Sequence, residues 1–135
     1  MTSHKLRRQS INTDTLWEAV AGFSRAIRID NRILVSGTTA TGIDGIVGKG
    51  DPEKQMNFIL DRIEQAIQEL GASLKDVIRT RIYISDINNW EIVAKIHGER
   101  FKTIRPVNTL VEARLVGECL IEVEAEAIIG IDETI

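Results

Sequence analysis

Hydrophobic and polar positions fall into short, readable periods along the chain. Ser24-Arg25-Ala26-Ile27-Arg28-Ile29 alternates, and Arg32-Ile33-Leu34-Val35-Ser36 is a short β-branched run. Asp30-Asn31 between them tolerates positive φ, so the pair predicts a β-hairpin. Met56, Ile59, Leu60, Ile63, Ile67 and Leu70 recur at helical spacing. Asp51-Pro52-Glu53 supplies an N-cap, a first-turn proline and acids at the positive end of that helix; Gly71 supplies its stop. Val77 to Ser85 alternates again, with Ile78, Thr80, Ile82 and Ile84 on one side and Arg79, Arg81, Tyr83 and Ser85 on the other. Asn88 and Glu91 have capping-box spacing before a second helix, predicted to bury Trp90, Val93, Ala94, His97 and Phe101 and to end before Pro106. Val107–Arg114 and Leu120–Ile128 read as the last strands, joined by a turn at Gly117-Glu118.

The order β-β-α-β-α-β-β predicts an α+β domain with two helices packed on one face of a mixed sheet. Two helices leave the other face open. The last strand sets Glu122, Glu124 and Glu126 on one side, and Arg81 and Tyr83 are candidates for the same side of a neighbour. A solvated face accounts for these charges, and so does a charge-paired subunit interface.

Composition narrows the class. The 135 residues carry 43% hydrophobic and 27% charged side chains with a net charge of −3, the balance of a folded domain of ordinary size. Residues 1–16 are polar and aperiodic, and are expected to form a flexible N-terminal tail before a single domain over 17–135. No apolar run is long enough to span a bilayer and the N-terminus lacks a secretory signal, so no membrane association and a cytoplasmic location are expected. The lone Cys119 excludes an internal disulfide and suits a reducing compartment.

Most familiar chemistries fail on spacing. The glycine-rich stretch Thr38–Gly50 ends at a helix, but Gly48-Lys49 is followed by Gly50 rather than Ser or Thr, and Asp51 would repel a phosphate. His4, His97 and Cys119 have no paired spacing, so no metal is expected. His97 has no nucleophile in a recognisable elbow and reads best as a core or interface residue. Few aromatics and an acidic balance argue against nucleic acid. Glu122 and Glu124 are possible general acids or bases, because a carboxylate held in a sheet interior titrates closer to neutrality.

Three ordered segments carry a resemblance. Gly22-Phe23-Ser24-Arg25-Ala26 precedes Ile33-Leu34-Val35-Ser36-Gly37. Gly71-Ala72-Ser73-Leu74-Lys75-Asp76-Val77 precedes Thr80-Arg81-Ile82-Tyr83-Ile84-Ser85-Asp86-Ile87. Arg105-Pro106 leads through Thr109-Leu110-Val111-Glu112 to Ile121-Glu122-Val123-Glu124-Ala125. From Gly22 to Ile129 the chain resembles the reactive-intermediate deaminase family, the RidA-like or endoribonuclease L-PSP-like proteins. That resemblance implies a chorismate-mutase-like fold, a homotrimer, a small-molecule substrate in clefts between subunits, and no cofactor. It implies hydrolysis of reactive imines or enamines to a carbonyl product and ammonia. The alternative is a non-catalytic trimer that binds a metabolite; endoribonuclease action is less well supported.

By the same resemblance Glu122 positions the attacking water, while the Gly37 N–H and Ser36 belong to the carboxylate-binding strand end. Phe23 stands where the family commonly has tyrosine, and Trp90 offers a further apolar wall. The departure is Pro106-Val107-Asn108-Thr109, where deaminating members carry an arginine in place of Asn108. Asparagine lacks the charge and the bidentate fork, a loss of about 10- to 100-fold in affinity for a carboxylate. The expectation is weak activity on 2-imino acids and a better fit of Asn108 and Thr109 to a neutral group. Arg105 points the wrong way along the strand, which leaves Arg81 and Arg114 as possible replacements.

Overall fold

The computed structural model of the chain describes residues 5–13 and 15–133. The strands are β1 (Arg8–Ile11), β2 (Ala26–Ile29), β3 (Arg32–Thr38), β4 (Thr41–Gly42), β5 (Gly45–Ile46), β6 (Val77–Ile84), β7 (Val107–Glu112) and β8 (Ile121–Ile128). The helices are α1 (Leu16–Ala21), α2 (Pro52–Glu69) and α3 (Trp90–Arg100). Six strands make one mixed sheet in the order β1-β2-β3-β8-β6-β7. Among the described residues β6 and β7 alone pair in parallel; β8 lies between β3 and β6, antiparallel to both. This is the α+β arrangement expected, with α2 and α3 packed together and α2 laid on β3 and β8.

The hydrophobic period of α2 is realised in full. Met56, Ile59, Leu60, Ile63, Ile67 and Leu70 are all buried, against Ile33, Val35, Ile82, Val123, Ala125 and Ala127 of the sheet. The Asp51 carboxylate accepts from Lys54 N at 3.0 Å, and Pro52 opens the helix. Gln55, which no apolar pattern reveals, is fully buried on the same helix. Its amide donates to Gly48 O at 3.1 Å, and its oxygen accepts from Leu120 N at 2.9 Å. That one side chain ties the glycine-rich loop to the start of β8.

Four local differences from the sequence reading have physical causes. Residues 8–11, expected in the tail, form edge strand β1 on β2; an edge strand is half-paired and can be polar throughout. His4 of that tail lies outside the described residues. The unanticipated helix α1 turns Glu18 inward and leaves Leu16, Trp17 and Val20 61–71% exposed, so its apolar pattern is inverted. A register shift between Val77 and Arg79 puts Val77 rather than Ile78 in the core. At the second helix, Asp86 caps a 3-10 turn over Ile87–Asn89 by accepting from Asn88 N, and Asn89 occupies the N-cap of α3. The helix is thereby rotated so that Val93 and Ile96 are buried and Trp90 is 50% exposed.

Candidate functional site

The open face of the sheet gathers charge because period-two strands must point every second residue away from the helices. On β8 those residues are Glu122, Glu124 and Glu126; on β6 they are Arg79, Arg81 and Tyr83. Register sets Tyr83 beside Glu122 and Arg81 beside Glu124. The Tyr83 hydroxyl donates to Glu124 Oε1 at 2.6 Å, and Arg81 Nη1 lies 3.6 Å from the same oxygen. The bond to Glu124 pushes the phenol up from its usual range. Glu126 is engaged by Arg32 from β3.

A β-bulge between Val35 and Thr38 shapes the strand facing Glu122. Gly37 sits in it, and a Cβ built there would overlap the Glu122 carboxylate, 3.0 Å from Cδ. The family-implied pair Gly37 and Glu122 is thus in contact. Only a residue without a side chain lets the carboxylate rest on the bulge. Burial is the largest influence on Glu122 and raises its pKa; Glu124 adds to the rise and Arg25 opposes it. The group is therefore easier to protonate than an ordinary glutamate, which favours a part in proton transfer.

Arg25 is the residue that pattern reading missed. It is 4% exposed, and its Nη1 donates to Gly37 O at 2.7 Å and to Thr38 Oγ1 at 3.0 Å. Nη2 pairs with the buried Glu18 carboxylate at 3.4 Å. Burial alone would raise Glu18, but hydrogen bonds from Thr13 and Thr15 together with Arg25 hold it below its usual range. Ser36 completes the strap: its hydroxyl donates to Ser24 O at 2.7 Å. A signal was present in Thr15-x-x-Glu18, which has the spacing of a helix start.

Next to the bulge lies a cleft of about 440 Å³ lined by Phe23, Ser36, Ile27, Leu34, Glu124, Glu126, Arg8, Arg79 and Arg81. Phe23 and Ser36 are therefore together in it, while Gly37 and Glu122 are not among its lining residues. The Phe23 ring also carries the Arg25 guanidinium 5.5 Å from its centroid. The other named residues are elsewhere in the chain. Trp90 opens α3, and Thr109 lies opposite Arg81 on edge strand β7. Asn108 pairs with Thr80 in the parallel register and donates through Nδ2 to Thr80 Oγ1 at 2.9 Å. The Thr80 hydroxyl is also 2.7 Å from His97 Nε2, on the helix side of the sheet. Burial lowers the His97 pKa, keeping the ring neutral and hydrogen-bonded to Thr80. Arg114 lines a separate cavity with Cys119, and Arg105 another with Ile78 and Pro106. Of the arginines weighed as replacements, Arg81 alone lines the cleft of Phe23 and Ser36.

Among the described residues no three His, Cys, Asp or Glu side chains cluster as metal ligands, and no helix is long and apolar enough to cross a membrane.

Comparison with known proteins gives a consistent set of likenesses. A family model described as endoribonuclease L-PSP matches residues 13–129. An uncharacterised protein of Streptomyces coelicolor is 36% identical over 132 residues, covering 96% of this chain and 97% of its own length. A RutC family protein of Pyrococcus abyssi is 31% identical over 124 residues, covering 90% of this chain and 98% of the relative. Among solved structures, a Mycobacterium tuberculosis member of the YjgF family superposes with a TM-score of 0.83 at 38% identity, covering 91% of this chain and 100% of that one. A Yersinia pestis protein of unknown function from the Rid family reaches 0.81 at 28% identity, again covering 91% and 100%.

Proposed function

Since the chain belongs to the endoribonuclease L-PSP family, the RidA-like proteins, we propose that it hydrolyses a reactive imine or enamine to a carbonyl compound and ammonia. The observation that carries this reading is the Glu122 carboxylate, half-buried on the Gly37 bulge with its pKa raised. Glu122 accepts a proton from water as the water oxygen bonds to the imine carbon. The C=N π electrons move to nitrogen, which takes that proton from Glu122 to give a neutral carbinolamine; an enamine enters as its imine tautomer. In the collapse Glu122 accepts the hydroxyl proton and returns it to nitrogen as the carbon–nitrogen bond breaks, so the carbonyl forms and ammonia leaves. The imine carbon is already electrophilic, so no cofactor is called for in this scheme. Phe23 walls the cleft, and Arg25 holds the carbonyl of Gly37 in place from below.

Homotrimer assembly, with the cleft completed between subunits, is part of the proposal. Its support is apolar surface that one chain leaves uncovered: Trp17 at 61%, Val107 at 61%, Trp90 at 50% and Leu34 at 41% exposure. Val107 and Thr109 lie on an edge strand, where a neighbouring subunit can approach. Light scattering at micromolar protein should return a trimer mass; a monomer would refute this part.

The deciding experiment is ammonia release from freshly generated 2-iminobutyrate, with spontaneous decay subtracted, by wild type and Glu122→Gln. Loss of proton transfer should cost about 10²- to 10⁴-fold in rate. Full activity in a folded Glu122→Gln protein would remove Glu122 from the chemistry. A second reading, metabolite binding without turnover, is favoured by Asn108: its side chain is engaged by Thr80 and supplies no charge. Absence of any catalysed ammonia release, with binding intact, would establish it.

A further inference from the structure

Among the described residues, Glu18 and Arg25 are the two charged side chains that the fold buries, and they pair at 3.4 Å. Glu18 is the residue by which α1 docks, while Leu16, Trp17 and Val20 of the same helix stay exposed. A short helix is held at less cost by an apolar side chain than by a buried ion pair, whose attraction only roughly offsets its desolvation. The pair is also incompletely satisfied, because Arg25 Nε is buried without a hydrogen-bond partner. Stability is therefore a poor account of these charges, and their contacts give a better one. Glu18 is fixed by Thr13, whose N–H donates to Oε1 at 2.8 Å, and by the hydroxyls of Thr13 and Thr15. Arg25 carries that hold through Nη1 to Gly37 O and Thr38 Oγ1, consecutive residues of the β3 bulge. The Glu122 carboxylate lies against the same glycine.

We infer that the buried Glu18–Arg25 pair is a positioning device for Glu122: it fixes the Gly37 peptide on which the carboxylate rests and supplies the cation that the carboxylate faces. This deepens the hydrolytic reading above, on which it rests. The surroundings of Glu122 leave such control to Arg25. Glu124 follows on the same strand and is engaged by Tyr83 and Arg81 of β6, with Tyr83 itself opposite Glu122 in register. From β3, Glu122 meets the uncharged Gly37. Burial and Glu124 raise the Glu122 pKa, and Arg25 is the cation that opposes them. Although burial works against it, Glu18 stays ionised, because its threonine hydrogen bonds and Arg25 hold its own pKa down. Removing the two partners should therefore move Glu122 in opposite directions. Without Arg25 the carboxylate loses its cation and is harder to ionise. Without Glu18 the arginine charge is unbalanced, and the carboxylate is easier to ionise.

The measurement is the pH titration of the Glu122 carboxyl carbon by NMR, on isotope-labelled full-length protein in its native assembly, with the signal assigned by its loss in Glu122→Gln. Arg25→Met should raise the midpoint, and Glu18→Gln should lower it. Arg25→Lys keeps the charge and a donor for Gly37 O, and should return the midpoint toward wild type. Arg100→Gln breaks the ion pairs with Asp61 and Glu64 in the helix layer, and should leave the midpoint unmoved. A pair that only held α1 in place would lower stability when broken and leave the Glu122 midpoint unchanged. Unmoved midpoints, or shifts of the same sign, in folded Arg25→Met and Glu18→Gln overturn the inference. Where Arg25→Met does not fold, Glu18→Gln decides alone, and an unmoved or raised midpoint overturns it. Hydrolysis of 2-iminobutyrate by the same proteins keeps the two proposals apart. Because Glu122 takes the proton of water as a carboxylate, the acid limb of kcat against pH should follow the NMR midpoint from variant to variant. The titration itself needs no turnover. Opposite shifts without catalysed ammonia release retain the positioning pair and reject the hydrolase. Catalysed release with an unmoved Glu122 midpoint retains the hydrolase and rejects the pair.

Discussion

The helix-covered and open faces of the sheet use the same strands under opposite constraints. On β8, Ile121, Val123, Ala125 and Ala127 are buried against α2, while Glu122, Glu124 and Glu126 between them look outward. The inner set is fixed by volume, and the buried Thr80 beside it on β6 is satisfied by His97 and Asn108. The outer set is fixed by charge pairing, and includes one carboxylate whose ionisation burial makes harder. A single strand therefore carries stability in one phase of its period and chemistry in the other. Substitutions should separate these roles cleanly.

The largest stability effect belongs to the inner face. Ile82, 1% exposed on β6, packs in the core, so Ile82→Ala should cost about 2–5 kcal/mol in urea denaturation. A smaller loss would mean the inner face can collapse around a cavity. Next is Thr80→Val, which strips a hydrogen-bond partner from both His97 and Asn108. About 1–3 kcal/mol is expected, with the midpoint lowered and the m-value unchanged.

The smallest effect belongs to the outer face and reverses the sign. The folded pKa of Glu122 stands above 4.5, so its contribution to stability is complete below pH 4.5 and is lost as pH rises through the folded value. Glu122→Gln cannot ionise. Its stability should match wild type below pH 4.5 and exceed it at higher pH, as followed by thermal unfolding across pH 4 to 8. A variant less stable than wild type at neutral pH would show the carboxylate to be a structural tie.

The inner face was also the part the sequence made legible. A helical period over Met56–Leu70 and a strand period over Val123–Ala127 each report burial directly, because each residue faces one neighbour layer. Where two constraints meet, the signal is lost. Helix α1 hides because its inward residue is Glu18, chosen to pair Arg25 rather than to fill space. Strand β1 hides because pairing on one side asks little of its side chains. Within the candidate site, the resemblance named Gly37 and Glu122, but their contact joins residues 85 positions apart through a bulge that no local period announces. The orientation of Asn108 depends on parallel pairing with Thr80, which the residue type alone does not convey.

The central claim, that Glu122 works from its seat on the Gly37 bulge, is tested most directly by the hydrolysis rate of Gly37→Ala. The added methyl overlaps the carboxylate but not the backbone, and Gly37 is not among the glycines with positive φ, so the substitution displaces Glu122 without deleting it. The account predicts a cooperative fold with a melting temperature near that of wild type. It also predicts ammonia release from 2-iminobutyrate reduced by about 100-fold, the cost of moving a reacting group by roughly 1 Å. Wild-type turnover in a folded Gly37→Ala protein would contradict it.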